Sequence, residues 1–250
     1  MVRIDRHAGR RILWTVTAAF VLLLATVIPS GWADDPQDAR QLVEKARLTL
    51  DSFQADPQMG ASLRALLRKA KGVMISPQIL RGAFLFGGAG GNGVFLARGQ
   101  AQDRWSGPAF YAIGQASFGL QAGADASEVV LVALTERGVH ALLSSSAKLG
   151  GNVSIAVGPV GAGAAAATAN LSADLVSYTR NKGLYAGVSI DGAVVATRDH
   201  WNAAYYGQPV TPTAILVTRT VWNPQAAPLV AAVARLAGGA PAVPSTAKAE

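Results

Sequence analysis

Between Lys69 and Arg98 the chain reads KAKGVMISPQILRGAFLFGGAGGNGVFLAR, an apolar run broken by glycine at short intervals. Six of those glycines are Gly82, Gly87, Gly88, Gly90, Gly91 and Gly93. Glycine loses the most backbone entropy on ordering, so this stretch is not a helix interior. Short apolar pieces bounded by glycine or proline read as strands. The expected arrangement is a basic helix end followed by tight strands. A glycine loop, Gly87 to Gly93, joins them where backbone passes close to something else.

Upstream, Asp34-Asp35-Pro36 reads as an acidic cap followed by proline in a first helical turn. Ala39, Leu42, Val43, Ala46, Leu50 and Phe53 then recur at helical spacing. Asp56-Pro57 restarts the pattern, Met59, Leu63, Leu66, Leu67 and Ala70 share one face, and Gly72 ends it. Downstream come strand candidates at Val73–Ile75, Ala83–Phe86, Gly93–Ala97, Phe110–Ile113, Ser117–Gln121 and Val129–Leu134. Others are Val153–Val157, Ala173–Tyr178, Leu184–Ile190 and Ala193–Thr197, with Asp191-Gly192 as a tight-hairpin signal. Helical turns are expected after Thr135 and over Asp199–Tyr206. Ile215–Val217 is read as a closing strand or a helix start. Many short strands without regular strand–helix alternation predict an α+β fold. Its sheet is mainly antiparallel and strongly curved, barrel- or sandwich-like, with two N-terminal amphipathic helices.

Half of the 250 residues are hydrophobic, enough for one sizeable core. No cysteine occurs, which excludes disulfides, thiolate metal sites and cysteine nucleophiles. Arg3, Arg6, Arg10 and Arg11 precede an uncharged apolar stretch, Ile12 to Pro29, and Ser30-Gly31-Trp32-Ala33 follows with small residues placed for cleavage. Residues 1–33 therefore read as an export signal, and an uncleaved anchor is the alternative. The net charge is +7 with that segment and +4 without its four Arg and one Asp. Such mild basicity suits anionic surfaces such as lipid headgroups better than nucleic acid. Residues 34–222 are read as a single domain. Residues 223–250 are an Ala/Pro-rich, partly disordered tail holding one short helix near Leu229–Leu236.

The best candidate site is the basic cluster Arg64, Arg68, Lys69, Lys71 and Arg81. Arg64, Arg68 and Lys71 fall at i, i+4 and i+7, one stripe of a helix. Basic stems beside an apolar stripe suit a phosphate-bearing interface. Arg180 and Lys182 form a second basic turn. The glycine loop offers amides to a phosphate, although its main reading is structural. It matches neither the nucleotide loop nor the dinucleotide fingerprint, and no cofactor is implied. His140 and His200 have no partner at metal-ligand spacing. No nucleophile elbow occurs and acidic residues are scattered, so an enzyme is not expected. Trp105, Phe110, Tyr111, Phe118, Trp201, Tyr205 and Tyr206 read as core rather than as a stacking platform.

Several pieces in order carry a resemblance. They are Lys69–Val73, Gly87-Gly88 through Gly93-Val94, Trp105–Phe110, Ser117–Gln121 with Gly123, and Lys148–Gly150. Gly158–Gly161, Gly183–Ser189, and Asn202 with Tyr206-Gly207 complete the set. Over about residues 40–217 the chain resembles the SYLF domain family. The resemblance implies a non-catalytic, membrane-associated module that binds phosphoinositides or other anionic lipids. On that reading Arg64, Arg68, Lys69, Lys71, Arg81, Arg180 and Lys182 are the candidate lipid-binding residues. Some eukaryotic members bind actin, a partner not expected for an exported chain of bacterial type. The expected location is periplasmic or secreted, at a membrane surface. The alternative function is a structural or interaction protein of the cell envelope, with an envelope protein as partner.

Overall fold

The computed structural model describes residues 36–84, 86–99, 104–118, 123–151, 153–161, 163–168, 172–182, 190–238 and 240–241. The expected leader, nearly all of the Leu184–Ile190 strand and the last nine residues of the tail lie outside the described residues.

Helix α1 (Pro36–Ala55) starts on Pro36 and buries Ala39, Leu42, Val43, Ala46, Leu50 and Phe53, the face its spacing predicts. On its outer side Arg47 pairs with Glu44 at 2.6 Å and Asp51 at 2.8 Å. Asp56 then turns the chain, its Oδ1 accepting from the amides of Gln58 (2.8 Å) and Met59 (3.1 Å). Helix α2 (Gly60–Leu67) follows. Gly60 is required there, because a Cβ would sit 2.1 Å from the carbonyl oxygen of Gln54.

Four long strands come next: β1 (Gly72–Phe84), β2 (Phe86–Arg98), β3 (Arg104–Phe118) and β4 (Gly123–Ala133). After helix α3 (Glu136–Leu143) come β5 (Ser146–Lys148), β6 (Ile155–Val157), helix α4 (Ala164–Ala167), β7 (Leu175–Lys182) and β8 (Val194–Thr197). Helices α5 (Asp199–Tyr206), α6 (Pro212–Leu216) and α7 (Ala227–Ala237) and the short strand β9 (Ala240–Pro241) close the chain. The strand order is β5-β8-β3-β2-β1-β4-β7-β6, with β9 alongside β3. All neighbours run antiparallel except β6–β7 and β3–β9. This is the expected α+β fold with a curled, half-barrel sheet.

Two expectations about the glycine run change. Gly87–Gly93 is not a loop: it lies inside β2, where Gly87 to Asn92 pair with Ala83 to Gln78 of β1, and Gly87 to Gly93 pair with Ser117 to Tyr111 of β3. Ser76-Pro77 does not end a strand either. Pro77 lacks an N–H and is excluded from a regular central ladder. Here the register of β1 slips against both neighbours at this point, between Ile75 and Gln78 and between Ser76 and Ile79, and the strand continues past the bulge. Gly91 sits against that irregularity, where a Cβ would lie 2.2 Å from the Gln78 carbonyl oxygen.

The bulge also changes which face each residue of β1 presents. Val73 and Ile75 pack under α1, α2, α5 and α7 with Phe110, Val130, Val132 and Tyr178. Ile79 joins the opposite layer with Met74, Phe95, Tyr111, Val129 and Leu131, beneath α3 and α6. Trp105, Phe110, Tyr111, Trp201 and Tyr205 are buried in these two layers, as expected of core aromatics. The region read as tail differs. Helix α7 buries Leu229, Val230, Val233 and Leu236, so the packed body continues to Ala237 rather than stopping at residue 222. Its alanines let the helix approach closely enough to seat those four side chains.

Candidate functional site

Helix α2 ends at Leu67 with Arg68 as its C-cap, so the basic stripe is shorter than its spacing predicts. Arg64, Arg68 and Lys69 are exposed around that helix end. Lys71 has left the helix: its N–H donates to the Ala133 carbonyl at 2.8 Å, and its Nζ pairs with Glu136 at 3.1 Å. The apolar face of α2 is fully used, since Leu63, Leu66 and Leu67 are wholly buried in the core. The charges therefore flank protein, not an open greasy stripe.

The other predicted residues lie elsewhere. Arg81 is ten residues further along β1, on the order of 30 Å away in extended chain. It stands in register with Asp125 and donates to Gln115 Oε1 at 3.4 Å. Arg180 is committed to the fold. Its guanidinium donates to Glu128 Oε2 at 2.5 and 2.9 Å and to Ser52 Oγ at 2.8 Å, and it lies 4.8 Å from the Phe53 ring centroid. Lys182 ends β7, and its side chain lies outside the described residues. The amides of Gly87–Gly93 serve the ladders on both sides, which removes the phosphate cradle read from sequence.

Tertiary structure brings in arginines that sequence proximity did not indicate. Arg98 donates from Nη1 to the Arg68 carbonyl at 2.9 Å, and its N–H bonds the Lys71 carbonyl at 2.8 Å. Arg137, on α3, shares with Lys69 a cleft of about 490 Å³ that Asp174 also lines. Arg104 and Arg219 stand across from Gly99 at the same end of the sheet. Strand ends far apart in sequence meet here, so no local spacing could have revealed the group.

Asp174 anchors this end. Its buried carboxylate accepts from Arg137 Nε and Nη2, Thr135 Oγ1, and Ser154 N and Oγ. The Arg137 hydrogen bonds, with those of Ser154 and Thr135, hold it well below the usual carboxylate range despite its burial. Among the described residues, Arg64, Arg68 and Lys69 have no acidic partner. No group of three or more His, Cys, Asp or Glu side chains among those residues is arranged to hold a metal ion.

Residues 114–236 match the family model Ysc84, described as Las17-binding protein actin regulator. Protein YSC84 of Saccharomyces cerevisiae is 34% identical over 203 residues, which is 78% of this chain and 43% of that protein. The chain belongs to the Ysc84 family, the SYLF domain family. LAS seventeen-binding protein 3 of Saccharomyces cerevisiae is 33% identical over 202 residues, 78% of this chain and 44% of its own length. SH3 domain-containing YSC84-like protein 1 of Homo sapiens is 32% identical over 153 residues, 60% of this chain and 44% of its own length. The chain thus spans less than half the length of these relatives. The segment matched to the Ysc84 model runs from β3 into α7 and includes Arg137, Asp174, Arg180 and Arg219. Arg64, Arg68 and Lys69 precede it.

Proposed function

We propose that this chain is a non-catalytic module that docks on anionic phospholipid, phosphoinositide-like headgroups included, through the basic end of its sheet. The observation that carries the reading is the set of exposed, acid-free charges Arg64, Arg68 and Lys69 on a helix end pinned by Arg98. Each basic side chain near an anionic surface contributes about 1 kcal/mol, roughly fivefold in affinity. Three such charges give weak, reversible and salt-sensitive attachment. The docking is electrostatic, because the apolar faces of α1 and α2 are already buried. Family membership supports a binding rather than a catalytic role. The leader-like residues 1–33 support action outside the cytoplasm, at a membrane surface. N-terminal sequencing of the exported protein tests that placement and separates cleavage from a retained anchor.

A second reading is a protein-interaction role in the envelope. Its support is the description of the matched family model as Las17-binding, together with Leu48 and Leu80, which are 53% and 57% exposed.

Vesicle flotation decides between them. Binding to phosphatidylcholine vesicles containing phosphatidylglycerol is expected, with loss as salt rises. The triple variant Arg64→Glu, Arg68→Glu, Lys69→Glu should bind at least tenfold more weakly, while Arg81→Glu binds as the parent does. Equal binding to neutral and anionic vesicles would overturn the lipid reading.

A further inference from the structure

Alongside helix α2 runs a stretch that carries no charge. From Ile155 to Ala173 the sequence holds no Asp, Glu, Lys, Arg or His. Three contacts lay it against the helix. Just ahead of α2, the Gln58 carbonyl accepts the Gly161 amide at 3.0 Å. One turn on, Ser62 Oγ donates to the Pro159 carbonyl at 2.7 Å, and the Tyr178 hydroxyl donates to Ser62 Oγ at 3.0 Å. Past the helix end, Lys69 and Thr168 line the same cleft as Asp174. Gly158 lets the segment lie flat on Tyr178, since a Cβ there would stand 2.4 Å from the ring.

The side chains this scaffold leaves in solvent are apolar. Val157 is 76% exposed and Val160 57%, and Ala165, Ala166 and Ala167 of α4 are exposed beyond them. A lone apolar side chain in water is ordinary, but a run of five on a chargeless segment marks a contact surface. Its backbone is already partnered. The Gly158 amide donates to the Ser177 carbonyl at 2.8 Å, and the Gly161 and Gly163 carbonyls accept amides of α4 at 3.0 to 3.2 Å. Moving those groups into an apolar layer therefore breaks no hydrogen bond. Beside the segment stand Arg64, Arg68 and Lys69, without acidic partners among the described residues. An anionic bilayer answers both features at once, phosphates for the cations and an apolar layer just beneath them. We propose that Val157 and Val160, with the exposed alanines of α4, are an apolar anchor that enters the interface of an anionic bilayer. The inference rests on the docking reading above. It adds the orientation of the molecule on the membrane and an apolar contact that α1 and α2 do not supply.

The chain has no cysteine, so Val160→Cys gives a unique thiol for a nitrobenzoxadiazole probe. Leu80→Cys is the control, because Leu80 is equally exposed at 57% but stands near the far end of β1, next to Arg81. Each labelled full chain is mixed with phosphatidylcholine vesicles containing phosphatidylglycerol. The Val160 probe should shift to the blue and be quenched by a lipid-borne nitroxide, and the Leu80 probe should do neither. Val157→Ser with Val160→Ser should weaken flotation about tenfold. The urea midpoint should stay that of the parent, because both side chains are already in water. Flotation of the parent with an unmoved Val160 probe overturns the anchor and leaves docking standing. Equal responses at Val160 and Leu80 overturn it as well. A Val160 shift that grows with protein concentration in the absence of vesicles assigns the patch to a second copy, against the proposal. No flotation of the parent at all overturns docking and anchor together.

Discussion

Asp174 shows how much one side chain organises here. Five donors from three residues converge on its carboxylate, tying the loop before α3 to the segment entering β6. Replacing it by alanine leaves the Thr135 and Ser154 groups without their acceptor and should cost about 2–3 kcal/mol in urea unfolding. Its charged form is favoured in the folded state, so the unfolded chain binds the proton first as pH falls. Stability is full above the ordinary carboxylate value of about 4 and declines as the solution is acidified through it. Urea midpoints from pH 6 to 2.5 should fall more steeply for the parent than for Asp174→Asn. Parallel curves would remove Asp174 as the cause. None of this was legible in the sequence, because Thr135 with Arg137, Ser154, and Asp174 belong to three separate segments. Arg64, Arg68 and Lys69 were legible, being neighbours on one helix end.

At the scale of elements, helices α1, α2, α3 and α5 follow from spacing and caps. Thr135 caps α3 by accepting the Gly138 amide at 3.1 Å. The glycine strand was misread for a physical reason. Glycine disfavours strands on average, yet close approach at a bulge can demand it. The contrast between two positions tests this. Gly91→Ala drives a methyl group into the Gln78 carbonyl and should destabilise by about 2 kcal/mol or more. At Gly114 a Cβ meets nothing within 4 Å, so Gly114→Ala should change stability by no more than about 0.5 kcal/mol. Thermal unfolding of the two variants side by side gives the answer. Equal effects would mean that general strand propensity, not the bulge, selects glycine.

For the molecule as a whole, the alanine-rich end is part of the core. Leu229, Val230, Val233 and Leu236 are each buried, and burial of a side chain of this size contributes about 1.5–3 kcal/mol. Together they rival the net stability of a domain, about 5–15 kcal/mol. A chain ending after Ala226 should lose cooperative unfolding, whereas one ending after Pro241 should keep it. A sharp melting transition in the shorter chain would show α7 to be dispensable. Composition concealed this, since alanine and proline dominate both this helix and the residues beyond it.

The margins of the sheet have a consequence for life at high density. Strands of 11 to 15 residues fill the middle, whereas β5 and β6 at the two flanks have three each. The outermost strands themselves offer a neighbouring copy roughly 10 Å of ladder each, and where β7 runs on beyond β6 it carries Arg180 and Lys182, the kind of charge that discourages edge pairing. Copies brought close together should therefore stay separate rather than zip into fibres.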